Sequence, residues 1–117
     1  MGCVECIRGD IFIVELKSSG DKHVQQGRRP VVVISSNINN NNSPTVNVIP
    51  LTATIKKINQ PTHVIIKGYG LALTSMTLSE QIITLDKKRL KKYNWIGRID
   101  DTVLLNRIRD SVFQQLS

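Results

Sequence analysis

Arg28 and Arg29 stand directly before Pro30 and the apolar run Val31–Val32–Val33–Ile34, in the stretch QQGRRPVVVISS of residues 25–36. A guanidinium at the mouth of a rigid apolar strand can fork onto two phosphate oxygens. Proline restricts the residue before it to extended backbone, so Arg29 is the more narrowly held of the two. A fixed guanidinium suits a phosphoryl transition state, in which charge grows on the non-bridging oxygens. An exposed arginine paired with a carboxylate is the commoner use of this residue, and the stretch alone does not separate the two.

Other polar residues are candidates for the same chemistry. Thr52 and Thr54 follow Pro50, and a hydroxyl at a strand end can donate to phosphate. Threonine is also an ordinary strand residue. His23 lies in a polar loop and could move a proton near neutral pH. His63 falls within an apolar segment and reads as packing. Glu80 and Gln81 interrupt another apolar segment, where glutamine can contact a base edge. The sequence shows no metal-ligand spacing, no Ser–His–Asp order and no carboxylate pair, so no metal or cofactor is expected. The set suits metal-free chemistry on RNA, whose 2′-hydroxyl supplies an internal nucleophile. It suits passive nucleic-acid binding equally well.

Composition agrees with a polyanionic partner. The 117 residues carry a formal charge of +7, which favours RNA, DNA, an acidic protein segment or an anionic surface. Aromatic residues make up 4%, too few for a broad base-stacking platform. The length predicts a single domain over residues 1–117. Cys3 and Cys6 form a C-x-x-C pair, but a structural zinc would need a second pair. Because the pair precedes every recognisable element, residues 1–7 are expected to be a flexible tail with free thiols. No secretory signal and no apolar run near membrane-spanning length is visible, so no membrane contact and a cytoplasmic location are expected.

The elements that must position these residues are mostly strands. Alternation predicts strands over 11–17, 30–36, 45–55, 62–67 and 95–99. Residues 74–85 read as an extended segment bent near Glu80. Pro50 places its strand at an edge or a bulge. The asparagine-rich segment 37–44 reads as a turn or hairpin tip. The polar loop 18–29 is long enough to be functional. A short basic helix capped by Asp86 is expected over 86–92. A terminal helix is expected over 100–116, capped by Asp100 or Asp101, with Val103, Leu104, Ile108, Val112, Phe113 and Leu116 on its apolar face. The sum is an α+β chain, mostly β: a small bent antiparallel sheet or barrel closed by a C-terminal helix. The apolar helix face and the Val31–Ile34 strand predict a homodimer.

The blocks RGDIFIVEL, QQGRRPVVVIS, SPTVNVIPLTATI, PTHVII and LSEQIITLDKKRL resemble, in order, the MazF/PemK (Kid) family of toxin endoribonucleases. The resemblance implies an SH3-like (CcdB/PemK-type) barrel with a C-terminal helix, a homodimer, and metal-independent cleavage of single-stranded RNA. Attack of the 2′-hydroxyl would give a 2′,3′-cyclic phosphate and a 5′-hydroxyl. The implied partner is a MazE-like antitoxin whose acidic tail covers the RNA groove. Arg29 matches the catalytic arginine of the family's Gly-x-Arg-Pro motif, and Thr52 matches its catalytic threonine. Arg28, Gln25, Glu80 and Gln81 match RNA-contacting positions. Many members carry a glutamate, proposed as general base, where this chain has Val24. A histidine proposed as proton carrier in the Kid-like branch matches His23. A non-catalytic binding module of the same fold remains the alternative. A topoisomerase poison like the fold-related CcdB toxins finds no matching C-terminal motif.

Overall fold

The computed structural model describes residues 5–16, 27–55 and 63–116. The chain runs β1 (Asp10–Leu16), β2 (Gly27–Val33), α1 (Asn37–Asn42), β3 (Thr45–Thr52), β4 (Ile65–Ile66), β5 (Ser75–Thr77), β6 (Ile83–Asp86), β7 (Trp95–Arg98) and α2 (Thr102–Leu116). Among the described residues the strands form one curled antiparallel sheet in the order β4-β5-β3-β2-β1-β7, with β6 also paired to β3. The terminal helix closes it. This is the mostly-β architecture expected from the sequence.

The run Val31–Val33 is apolar throughout because β2 is covered on both faces. Val31 and Val33 pack with Phe12, Val14, Val46, Val48, Leu85 and Leu90 on one side of the sheet. Val32 packs on the other side with Ile11, Ile49, Leu51, Ile66 and Ile108, the last from α2. All three valines have no exposed surface in the single chain. They therefore leave nothing for a partner subunit, and the part of the dimer expectation that rested on this strand is overturned.

Pro50 is in the central strand β3, not at an edge. Val31 pairs with Pro50, so β2 lies along that side. On the other side β3 pairs with β6 through Val48 and with β5 from Leu51. Pro50 occupies the gap where one partner replaces the other. Its carbonyl accepts from Leu78 N at 3.0 Å, and its missing N–H faces the same gap, where no ladder bond is lost.

Two local expectations fail for physical reasons. Segment 37–44 contains the helix α1 instead of a hairpin tip. Ser36 Oγ caps it by accepting from Asn39 N, which offsets the poor helix propensity of asparagine. Buried Asn40 anchors it by donating from Nδ2 to Ser35 O at 3.1 Å. Cys6 does not belong to a free tail. It is 3% exposed and packs in the first core cluster. Burial raises its thiol pKa; Lys87 opposes that and Asp10 adds to it. Asp10 itself is buried and accepts from Ile7 N at 2.7 Å, Trp95 Nε1 at 3.1 Å and Arg98 Nε at 2.6 Å. One carboxylate thus ties the segment before β1 to β7.

Gly68, Tyr69 and Gly70 all have positive φ, at 92°, 54° and 88°. Leu71 N donates to Gly68 O at 3.0 Å and closes this turn. Its backbone lies directly on β7. A Cβ on Gly97 would sit 1.8 Å from Tyr69 O, and one on Gly70 1.9 Å from Ile96 O. Backbone on backbone cannot yield as a flexible side chain would. Gly97→Ala should cost about 3 kcal/mol or more. In a thermal melt the midpoint should fall by on the order of 10 °C.

Candidate active site

The start of β2 carries the two arginines. Gly27 has φ 79° and leads the chain into Arg28, opposite Glu15, and Arg29, opposite Val14. Val31 and Pro50 are the outermost registered pair between β2 and β3. Two residues further out on each strand stand Arg29 and Thr52. Adjacent strands therefore deliver a guanidinium and a hydroxyl to one end of the sheet. Thr52 is 6% exposed. Its Oγ1 accepts from Thr54 N at 3.1 Å, which orients the hydroxyl and leaves its proton to donate.

Arg28 is exposed and donates from Nη2 to Asn94 Oδ1 at 3.2 Å. Arg89 Nη2 donates to Glu15 O, on the residue opposite Arg28. Lys87–Arg89 and Lys92–Asn94 are single 3-10 turns, so residues 86–92 do not form the α-helix their charge pattern suggested. Asp86 does cap the first turn, accepting from Lys88 N at 2.9 Å. Arg89 joins Arg28 and Arg29 at this edge, a neighbour that only the basic run in the sequence hinted at. Cationic side chains grouped this way can follow a phosphate backbone.

A cleft of about 230 Å³ opens beside the arginines. Arg28, Arg29 and Pro30 line one side, and Leu71, Ala72 and Leu73 line another.

Glu80 and Gln81 are not in that cleft. They belong to a 3-10 turn, Ser79–Gln81, entered after Leu78 bonds to Pro50. The turn is fixed to α2 by the Ser79 and Ser111 hydroxyls, 2.6 Å apart. It lies along β3 inward from Thr52. His63, read from the sequence as packing, has Nε2 3.2 Å from Glu80 Oε2. A carboxylate only accepts, so Nε2 donates. The His63 side chain is 7% exposed, and its Nδ1 is buried with no hydrogen-bond partner among the described residues. His23 and Gln25 lie outside the described residues, as does Val24. Among the described residues no three His, Cys, Asp or Glu side chains come close enough to hold a metal ion.

Residues 7–112 match the family described as PemK-like, MazF-like toxin of type II toxin-antitoxin system. The chain belongs to that family. Solved structures share the fold. An endoribonuclease from a mycobacterial species superposes with a TM-score of 0.75 at 22% identity, over 99% of this chain and 95% of that one. An endoribonuclease in complex with its cognate antitoxin, also mycobacterial, gives 0.75 at 24% identity over 95% and 94%. MazF from Deinococcus radiodurans gives 0.76 at 20% identity over 97% of each chain. The toxin family also sets the context of the arginine edge: a chain paired genetically with an antitoxin presents its cations at one end of a rigid sheet.

The His63–Glu80 contact should be weak, because Glu80 is about one-third exposed and screened. A double-mutant cycle of His63→Ala and Glu80→Ala, read by urea unfolding, should give a coupling of about 0.5 kcal/mol.

Proposed function

We propose that this chain is a toxin endoribonuclease that cleaves single-stranded RNA without a metal. The observation that carries the reading is the delivery of Arg29 and Thr52 by adjacent strands to one end of the sheet. The family assignment and the neighbours named endoribonuclease support it. In the proposed reaction the 2′-oxygen attacks the adjacent phosphorus and the bond to the 5′-oxygen breaks. The products are a 2′,3′-cyclic phosphate and a 5′-hydroxyl. Arg29 neutralises charge on the phosphorane, and Thr52 donates its hydroxyl proton to a non-bridging oxygen. His23 carries the proton between the 2′-oxygen and the leaving 5′-oxygen. Arg28, Gln25, Glu80 and Gln81 contact the RNA strand, with Arg28 on a phosphate.

The proposed partners are an acidic antitoxin, suited to the net charge of +7, and a second copy of this chain. The neighbour solved with its cognate antitoxin supports the first. The second rests on α2. Phe113 is 63% exposed at the rim of a groove of about 220 Å³, lined also by Ile82 and Val112. No helix among the described residues is long and apolar enough to cross a membrane, and the proposed site of action is the cytoplasm, where the mRNA is.

Incubation of a long mixed RNA with the protein in EDTA should yield discrete cuts ending in cyclic phosphate. Arg29→Ala should slow cutting by about 10²-fold or more; an unchanged rate would refute the assignment. Sedimentation at micromolar concentration should report a dimer, and Phe113→Arg should shift it toward the monomer.

A further inference from the structure

We propose that the cleft beside the arginines is a nucleobase pocket, which takes the base of a nucleotide next to the phosphate bound at Arg29. The inference rests on the RNA-cleaving reading above and names what that site holds beyond the scissile phosphate.

Size is the first argument. At about 230 Å³ the cleft falls below the range of roughly 300–1,000 Å³ typical of pockets for whole small-molecule ligands. It has room for one flat ring system, not for a nucleotide with its sugar and phosphate.

Chemistry is the second. Leu51, Leu71, Ala72, Leu73 and Ile96 give the cleft apolar walls, while Arg28 and Arg29 stand at its side. A base has apolar faces and is tethered to an anionic phosphate, which is the same division of character. Ser75 adds a polar point. Its hydroxyl donates to Leu73 O at 2.9 Å, which leaves oxygen lone pairs able to accept from an amino or imino N–H. An aliphatic peptide side chain would offer that oxygen nothing, so RNA is favoured over an acidic peptide as occupant.

Rigidity is the third. The Leu71–Leu73 wall continues directly from the turn in which three successive residues take positive φ. That turn is clamped by backbone contact between Gly70 and Ile96 and between Gly97 and Tyr69. Backbone held in a sparsely populated conformation persists where the surroundings over-determine it, and such places cluster at ligand sites. Leu73 is 66% exposed at the lip, an apolar side chain that a bound base would cover.

Two variants and two readouts test the pocket. Ala72→Trp fills it, and Leu73→Asp places an anion at its lip; both positions are exposed, so the fold should survive. The first readout is the base preference beside the cut, mapped on mixed RNA in EDTA. The wild-type protein should prefer particular bases at one position flanking the cut, and either variant should reduce that preference at least tenfold. The second readout does not need cleavage. In ¹⁵N–¹H spectra an uncleavable 2′-O-methyl oligonucleotide should shift the amides of Leu71, Ala72 and Leu73. An abasic nucleotide at the preferred position should cancel the shift. Cleavage with an unaltered preference in both variants would overturn the pocket and leave the nuclease reading standing. Absence of cleavage by the wild-type protein, with those amides still shifted by RNA, would overturn the nuclease reading and support the pocket. Shifts produced by a poly-glutamate peptide and not by RNA would overturn the pocket and assign the cleft to an acidic partner.

Discussion

The burial of β2 on both faces is the constraint on which the rest of the structure depends. A strand packed on one face can rock or slip, because the other face tolerates polar residues and water. Val31, Val32 and Val33 allow neither, since a shift of one residue would drive each valine into the opposite core. The register with β1 and β3 follows, and with it the position of the three residues before the valines. Arg28 and Arg29 are carried by a strand that cannot move independently of two cores, and Pro30 narrows the backbone between them and the valines. A cation held this way loses little conformational freedom when it meets an anion, which is how a preorganised site outperforms a flexible one.

The same logic explains the other wall of the cleft. Cross-strand bonds hold the arginine side, whereas the Leu71–Leu73 side has no strand of its own. It depends instead on the contact of Gly70 and Gly97 with neighbouring carbonyls. Asp10 reinforces this from below: by receiving Trp95 and Arg98 it fixes β7, and β7 fixes the turn. A buried carboxylate and two glycines, each far from any reacting atom, thereby shape the space beside Arg29.

Much of this was legible in the sequence, and the misses share a cause. Strands with strong alternation or a dense β-branched run were placed correctly, as was the helix after Asp101, whose carboxylate accepts from Val103 N at 2.9 Å. The arginine pair and Thr52 were singled out from residue type and position. The misses are residues whose role is set by a distant partner. Cys6 reads as tail until β6 and the turn after it bring Leu85 and Leu90 over it. His63 reads as packing until the turn at Glu80 meets it. Asn37–Asn42 reads as a turn because propensity counts each asparagine alone, while Ser36 and the Ser35–Asn40 contacts act on the segment as a whole. Glu80 and Gln81 are adjacent to the site in sequence logic yet lie inward along β3, because the chain bends into a 3-10 turn before it reaches the cleft.

Pro50 joins these threads. In most sheets a proline in a central strand would cost a ladder bond. Here the strand changes partner at that residue, and the absent donor coincides with a place where neither β6 nor β5 presents an acceptor. The change of partner has a further effect. Up to Val48, β3 is tied to β2 and β6 and belongs to the scaffold. Beyond Pro50 it leaves the registered pairing with β2, and at Leu51 and Thr52 it is held by β5 alone. The last residues of β3 can therefore separate slightly from β2, which opens a cleft between strands that are in contact two residues earlier. A proline with no hydrogen to donate marks the boundary between the part of the strand that builds the core and the part that faces a ligand.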